Sequence, residues 1–246
     1  MLRRALGQVL RGMAGRGERP SLTELAERHG TDKWGRHHRY TPHYERHFAP
    51  WRDRPVCLLE IGVGGYHHDD FGGASLRMWK SFFPNGRIHG LDIEDKSVFE
   101  EERIRIFRGS QVDAALLDRI LAETGAPDII IDDGSHLNAH MIGSFELLFP
   151  RLADGGIYVV EDIQTAYWPK YGGHPPGAAG PRSFMDFTRE RVDGLNHPEY
   201  RWSGYQATPL DRTIHGVHCY HNMVFFDKGP NDGSSVADRG DVACQT

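Results

Sequence analysis

The feature of this sequence that most constrains its fold is a series of short apolar runs, several of which end in glycine or an acid. Residues 56–61, 87–93, 103–107, 128–132 and 156–160 form the series, and stretches with helical spacing separate them. Short apolar runs bounded by turn residues are typical of strands buried in a sheet. Strands that alternate with helices run parallel, because each helix returns the chain to the same edge. The sequence therefore predicts an α/β fold with a doubly wound, mostly parallel sheet.

The helices between these strands are indicated by apolar spacing and by their end signals. Residues 75–83, 113–125 and 140–152 place their large apolar side chains at helical intervals. A further helix is predicted to begin at Ser21, because Glu24 stands at capping-box spacing from it.

The C-terminal third departs from this alternation. Residues 163–211 are rich in glycine, proline and aromatic side chains and carry little regular pattern, apart from one short amphipathic piece around residues 184–195. We therefore expect a lid or substrate-binding insert there. Residues 214–220 and 223–227 are separated by only two residues, which predicts an antiparallel hairpin at the end of the fold.

The two ends of the chain differ in composition from the part between them. Residues 1–20 are rich in arginine and carry no acid before Glu18, so we interpret them as a basic leader. Residues 229–246 are small and polar, which favours a disordered tail. The remaining residues, 21–228, are predicted to form one domain.

Composition and charge exclude several classes of protein. The net charge of −5 argues against a nucleic-acid binder, since neutralising phosphates requires excess basic charge. No apolar run approaches the roughly 18 residues of a membrane span. Cys57, Cys219 and Cys244 lie far apart and out of metal-binding spacing, which is typical of reduced thiols in a cytoplasmic protein. We therefore expect a cytoplasmic protein that binds neither nucleic acid nor membrane.

The turn after the first strand indicates a bound cofactor, because ligands of such sheets lie at the carboxyl ends of the strands. A dinucleotide fingerprint requires a small residue three positions after Gly64, where this sequence has His67. An acid before the turn, Glu60, and an acid ending the second strand, Asp92, instead suit a ligand with an amino-acid end and a ribose. S-adenosylmethionine is such a ligand.

Two acidic doublets follow the fourth and fifth strands, Asp132-Asp133 and Glu161-Asp162. Adjacent parallel strands would bring these carboxylates to the same edge of the sheet. Converging carboxylates repel one another unless a cation separates them, and oxygen ligands suit Mg²⁺ or Mn²⁺ better than zinc. Asp132 has a second interpretation, as a cap of the following helix. His136 lies near this cluster, either as a proton acceptor or as an ordinary surface or core histidine.

Together these segments resemble a known family, the Mg²⁺-dependent sugar O-methyltransferases of antibiotic biosynthesis. The resemblance covers residues 21–228 and rests on the segments HGTDKW, LLEIGVGGY, GGASLRMWKSFFPNGRIHGLDIEDKS, IIIDDGSH and VVEDIQ. It implies that Asp133, Glu161 and Asp162 bind the metal and that His136 is the general base. It also implies a small-molecule glycoside as substrate and assembly into a homo-oligomer.

The positions expected to contact S-adenosylmethionine follow from the same resemblance and from the strand ends. They are Thr31, Glu60, Gly62, Tyr66, Asp92, Ser110, Gln111 and Asp132. The expected reaction is methyl transfer to one hydroxyl of a metal-bound sugar diol. A catechol or aglycone diol would satisfy the same metal, and the cephalosporin hydroxylases form a similar family, so both stay open as alternatives. Larger members of the family carry an N-terminal auxiliary domain, which we expect this chain to lack.

Overall fold

The computed structural model of the protein describes residues 19–66, 71–201 and 204–233. In chain order its strands are β1 (Cys57–Ile61), β2 (Arg87–Asp92), β3 (Ile104–Arg108), β4 (Ile129–Asp132), β5 (Ile157–Glu161), β6 (Ile214–Tyr220) and β7 (Met223–Lys228). Its α-helices are α1 (Leu22–His29), α2 (Thr41–Phe48), α3 (Ala74–Phe82), α4 (Ala114–Thr124), α5 (Asn138–Leu148), α6 (Phe184–Gly194) and α7 (Pro209–Thr213).

Within the described residues the strands form one sheet in the order β3-β2-β1-β4-β5-β7-β6. The first five strands pair in parallel, and the hairpin of β6 and β7 adds two antiparallel strands beside β5. The predicted doubly wound, mostly parallel sheet with its C-terminal hairpin is confirmed. Strand order reverses between β1 and β4, which is where sheets of this kind bind ligands.

The register of the central strands decides which side chains meet at that edge. Ile61 of β1 pairs with Asp132 of β4, and Asp132 pairs with Val160 of β5. The residues that follow each strand therefore emerge side by side. The two acidic doublets are brought together in this way, as the sequence predicted.

Each face of the sheet is covered by its own layer of helices. Successive residues of a strand point to opposite faces, so Leu58 packs under α1–α3 and Leu59 packs under α4–α6. Trp79 is fully buried in the first layer and Phe145 in the second. This double coverage explains why the strands read as continuous apolar runs.

The predicted helices are present, with some differences at their ends. Ser21 caps α1 and forms the predicted capping box with Glu24. The helix predicted over residues 140–152 instead spans Asn138–Leu148. A 3₁₀ turn at Phe149–Arg151 follows it, because Pro150 lacks the amide hydrogen that would extend the α-helix.

In the stretch of residues 163–211 the predicted amphipathic piece is confirmed as α6, and the stretch also holds regular structure that the sequence did not predict. It contains α6, the start of α7 and three short 3₁₀ helices at Ile163–Tyr167, Pro169–Tyr171 and His197–Glu199. Asn138 anchors this stretch to α5, because its side-chain amide donates to the carbonyl oxygens of Thr165 and Tyr171.

Some sequence predictions lie outside the described residues. The leader up to residue 18, the tail from residue 234 and His67 are among them. Cys57 and Cys219 are described and are both free thiols, whereas Cys244 lies in the undescribed tail. Among the described helices, none is long and apolar enough to cross a membrane.

The layer under α5 depends on Phe145, whose ring lies 4.7 Å from that of Phe149 and 4.8 Å from those of Tyr158 and Phe226. We expect Phe145→Ala to lower the free energy of unfolding by about 3–5 kcal/mol, because the substitution leaves a cavity in a packed core. Denaturant unfolding measures this loss. Val98→Ala, at a side chain that is 71% exposed, serves as the control and should change stability by less than about 0.5 kcal/mol.

Candidate active site

A cleft of about 800 Å³ opens at the carboxyl ends of the central strands. Its lining includes six of the positions expected to contact the cofactor: Thr31, Gly62, Tyr66, Asp92, Ser110 and Gln111. The same lining includes all four residues expected to bind metal or accept a proton: Asp133, His136, Glu161 and Asp162. The fold thus joins the two predicted groups of residues in a single cavity.

The turn after β1 approaches the turn after β4 so closely that it needs a glycine. A Cβ on Gly62 would lie 2.1 Å from the carbonyl oxygen of Asp133, and Gly62 has a φ of 92°. There is no room for a Cβ atom at this position, and the positive φ disfavours any residue that carries one. Gly62 therefore lets the floor of the cleft close beside Asp133.

Asp92 is held at the end of β2 by backbone donors. Its Oδ2 accepts from the amide of Val63 at 2.8 Å, and its Oδ1 accepts from the amide of Glu94 at 2.9 Å. These bonds fix the carboxylate at the rim of the cleft, between β1 and β2.

Asp132 is buried and is not among the residues that line the cleft. Its carboxylate accepts from the side chains of Gln111 and Ser144 and from the amide of Gly134. Burial raises the pKa of Asp132, and these hydrogen bonds oppose that rise. Gln111 also accepts from the amide of Ser135. This network supports the loop that carries Asp133 and does not cap α5, whose N-cap is Leu137.

Glu60 also lies beneath the cleft and not in its lining. Its Oε2 accepts from the Ser75 hydroxyl at 2.8 Å and from the Trp79 indole at 3.2 Å. Burial raises the pKa of Glu60, and the charge of Lys33 opposes the rise. Like Asp132, it contacts the protein and not the open cavity.

Asp133, His136 and Asp162 form the accessible part of the acidic cluster, since each offers a ligand atom within 4.8 Å of the others. His136 Nε2 lies 3.6 Å from Asp162 Oδ2 and 3.9 Å from Asp133 Oδ1. His136 and Asp162 both adopt positive φ, at 55° and 54°. Such backbone conformations cost free energy and cluster at functional sites. The carboxylate oxygens of this cluster fit a hard divalent cation.

Glu161 lies on the buried side of this cluster. Burial and the neighbouring charge of Asp133 raise the pKa of Glu161, and Lys33 opposes them. Its Oε1 accepts from the Tyr44 hydroxyl and from Lys33 Nζ, the latter at 2.8 Å. Tyr44 and Lys33 therefore hold the Glu161 carboxylate on its buried side, and the cleft lies on its other side.

Lys33 contacts the acidic cluster, a role that the sequence did not predict for it. Its side chain is 1% exposed, and Nζ lies 2.7 Å from Asp133, 2.8 Å from Glu161 and 3.1 Å from Glu60. Burial alone would lower the pKa of Lys33, but the three carboxylates raise it well above its usual value, so the ammonium form persists. The sequence contains one indication that this lysine is special. The chain has 24 arginines but only 5 lysines, and one of the lysines is in the HGTDKW segment.

Residues of the segment between α1 and α2 also contact Asp162, the third predicted metal ligand. Tyr40 donates its hydroxyl to Asp162 Oδ1 at 2.5 Å, and His38 Nδ1 lies 3.5 Å from the same oxygen. Burial is the main reason that the pKa of Tyr40 is raised, so its phenol stays protonated and donates. Side chains from residues 33–44 thus contact Asp133, Glu161 and Asp162 together.

Several curated proteins are similar to this chain in sequence, although no protein-family profile matches it. It is 49% identical over 230 residues to mycinamicin VI 2''-O-methyltransferase of Micromonospora griseorubida, a match that covers 91% of the chain and 57% of that protein. It is 48% identical over 215 residues to 8-demethyl-8-alpha-L-rhamnosyl tetracenomycin-C 2'-O-methyltransferase of Streptomyces olivaceus, covering 87% of the chain and 56% of the relative.

A solved structure shares the fold as well. The MycE methyltransferase from the mycinamycin biosynthetic pathway, in complex with Mg, SAH and mycinamycin VI, matches with a TM-score of 0.84 and 48% identity. The match covers 90% of this chain and 57% of that one. The chain thus spans little more than half the length of the relatives it matches. Over that shared part, the chain belongs to the family of the sugar O-methyltransferases of antibiotic biosynthesis.

Proposed function

We propose that the protein transfers a methyl group from S-adenosylmethionine to a sugar hydroxyl of a glycosylated natural product, with Mg²⁺ or Mn²⁺ as cofactor. The observation that carries the proposal is the single cleft that contains both the cofactor positions and the acidic cluster with His136. The names of the homologous enzymes support a glycoside as the acceptor.

S-adenosylmethionine would lie along the ends of β1, β2 and β3. Gly62 lets its methionyl part approach the backbone, and the fixed carboxylate of Asp92 accepts hydrogen bonds from the ribose hydroxyls. Thr31, Tyr66, Ser110 and Gln111 line the same side of the cleft. Glu60 and Asp132 act from beneath: Glu60 accepts from Ser75 and Trp79 of α3. Asp132 accepts from the side chain of Gln111 and from the amide of Gly134.

The metal would be held by Asp133, Glu161 and Asp162. When bound, such a cation lowers the pKa of a coordinated hydroxyl and orients a vicinal diol. Tyr40, Tyr44 and Lys33 keep the three carboxylates in place from the side away from the cleft.

His136 removes the proton from the acceptor hydroxyl. Its imidazole lines the cleft next to Asp133 and Asp162, where a hydroxyl held by these groups comes within reach. The acceptor oxygen then forms a bond to the methyl carbon as the bond from carbon to sulfur breaks, which leaves S-adenosylhomocysteine. Alignment of the reacting atoms contributes on the order of 7–11 kcal/mol to such reactions.

The reaction is tested with a panel of glycosylated polyketides, each incubated with the protein and S-adenosylmethionine. We expect a product heavier by one CH₂, with the added methyl on the sugar. A catechol or aglycone diol would meet the same groups in the cleft, so methylation of the aglycone alone would move the acceptor to that class. Self-association and a cytoplasmic location stay predictions from the sequence.

Asp92→Ala should weaken S-adenosylmethionine binding by about 10- to 100-fold. Hydrogen bonds to a charged group contribute roughly 1.5–3 kcal/mol, and each 1.4 kcal/mol is about tenfold in affinity. Isothermal titration calorimetry measures the change. Asp95→Ala, at an exposed acid three residues later, is the matched control and should bind as the wild type does. Equal affinity in both variants would remove Asp92 from the cofactor site.

Activity should require a divalent cation and should disappear when a chelator removes it. Asp162→Asn should lower the affinity for Mn²⁺ by more than about tenfold, because the substitution removes the charge of a metal ligand. The affinity for S-adenosylmethionine should stay unchanged, since its proposed contacts lie on other strands. Asp154→Asn, at a fully exposed acid, is the control. Full turnover in chelator, with the absence of metal verified, contradicts the proposed metal requirement.

His136→Gln should lower kcat by about 10²- to 10⁴-fold, the usual contribution of a general base. Binding of cofactor and metal should persist, because the ring donates to neither in the proposed arrangement. Steady-state kinetics and calorimetry separate these effects. His215→Gln, at an exposed histidine of β6, controls for a general effect of the substitution. A folded His136→Gln enzyme that keeps more than about a tenth of wild-type kcat limits the residue to orienting the acceptor.

A further inference from the structure

Three carboxylates converge on the Nζ atom of Lys33. Asp133 Oδ2, Glu161 Oε1 and Glu60 Oε1 lie 2.7, 2.8 and 3.1 Å from it. Glu60 Oε1 is buried and makes no hydrogen bond of good geometry, so its close partner is the ammonium charge. The three oxygens therefore point at one small, positively charged centre.

Lys33 is also the only lysine or arginine that pairs with this cluster within the described part of the chain. Four acids meet here when Asp162 is included, and one divalent cation together with one ammonium would offset three of their four charges. Carboxylates that are buried or only partly exposed are costly unless cations compensate their charge. Lys33 thus supplies a charge that the cluster requires.

The arrangement has the geometry of a paired cation site. In two-metal centres, the ions lie about 3.5–4 Å apart and share carboxylate ligands. Asp133 and Glu161 are placed like such shared ligands, because both contact Lys33 on one side and both line the cleft on the other. Oxygen ligands of Ca²⁺, Mg²⁺ and Mn²⁺ lie at roughly 2.0–2.6 Å, so a small contraction of the three oxygens would ligate an ion in place of Nζ.

We propose that the Lys33 ammonium occupies the place of a second divalent cation and thereby makes this a one-metal site. The proposal rests on the proposed function in one respect, that Asp133, Glu161 and Asp162 bind the first ion. Lys33 is then a positioning residue, which holds one side of Asp133 and Glu161 and leaves their cleft side to a single metal.

The test is the number of Mn²⁺ ions bound per chain, measured by equilibrium dialysis with metal quantification. Lys33→Ser opens the space and removes the charge, so this variant should bind about two ions where the wild type binds about one. Lys33→Met fills the space with an apolar chain and should bind no second ion. Lys80→Ser, at a lysine paired with Glu101 away from the cleft, is the matched control and should bind as the wild type does.

The outcomes separate this proposal from the proposed function. The same number of ions in the wild type and in Lys33→Ser overturns the role of Lys33. No ion in the wild type and one in Lys33→Ser supports that role and contradicts the proposed metal site in the cleft.

A variant that unfolds without metal is tested by thermal unfolding across a Mn²⁺ titration. Ions that bind only the folded chain raise its melting temperature. The melting temperature of Lys33→Ser should therefore rise more with Mn²⁺ than that of the wild type. A Lys33→Ser chain that stays unfolded in saturating Mn²⁺ overturns the proposal, because the cation then fails to replace the ammonium.

Discussion

The convergence of four carboxylates at one edge of a parallel sheet is the constraint on which the rest of the site depends. The pairing of β1 with β4 and of β4 with β5 brings the ends of three strands together, and Glu60, Asp133 and Glu161 come with them. Removing one partner of a buried charge pair typically costs about 3–5 kcal/mol. The ammonium of Lys33 therefore stabilises the fold as well as the site, and it binds the segment after α1 to the centre of the sheet.

The polar residues divide into those that face the cleft and those that hold them from beneath. Asp132, Gln111 and Ser144 form a buried network under the loop that carries Asp133, with hydrogen bonds to the amides of Gly134 and Ser135. Such networks restrict the conformations of the groups they support. Because methyl transfer needs its reacting atoms aligned, this rigidity would support the proposed reaction.

Much of this could be predicted from local patterns. The apolar runs, the glycine turn and the capping box of Ser21 with Glu24 depend on residues close in sequence, and all three were found where expected. The roles of Glu60 and Asp132 were harder to predict from the sequence. Each was expected to contact the cofactor because it stands at a strand end, but the side chain of a strand residue can face either layer, and the structure turns both beneath the cleft.

The sequence by itself determined the mostly parallel sheet and the acidic doublets beside His136, because strand periodicity and the alternation of strands and helices follow from local physics. Only the tertiary structure decided which cation meets those acids. Lys33 lies 100 residues before Asp133 and 128 before Glu161 along the chain, and Tyr44 lies 117 before Glu161. No spacing rule connects residues so far apart. Their contact exists because α1 and α2 pack on the same face of the sheet, which the buried surfaces of the whole domain determine together.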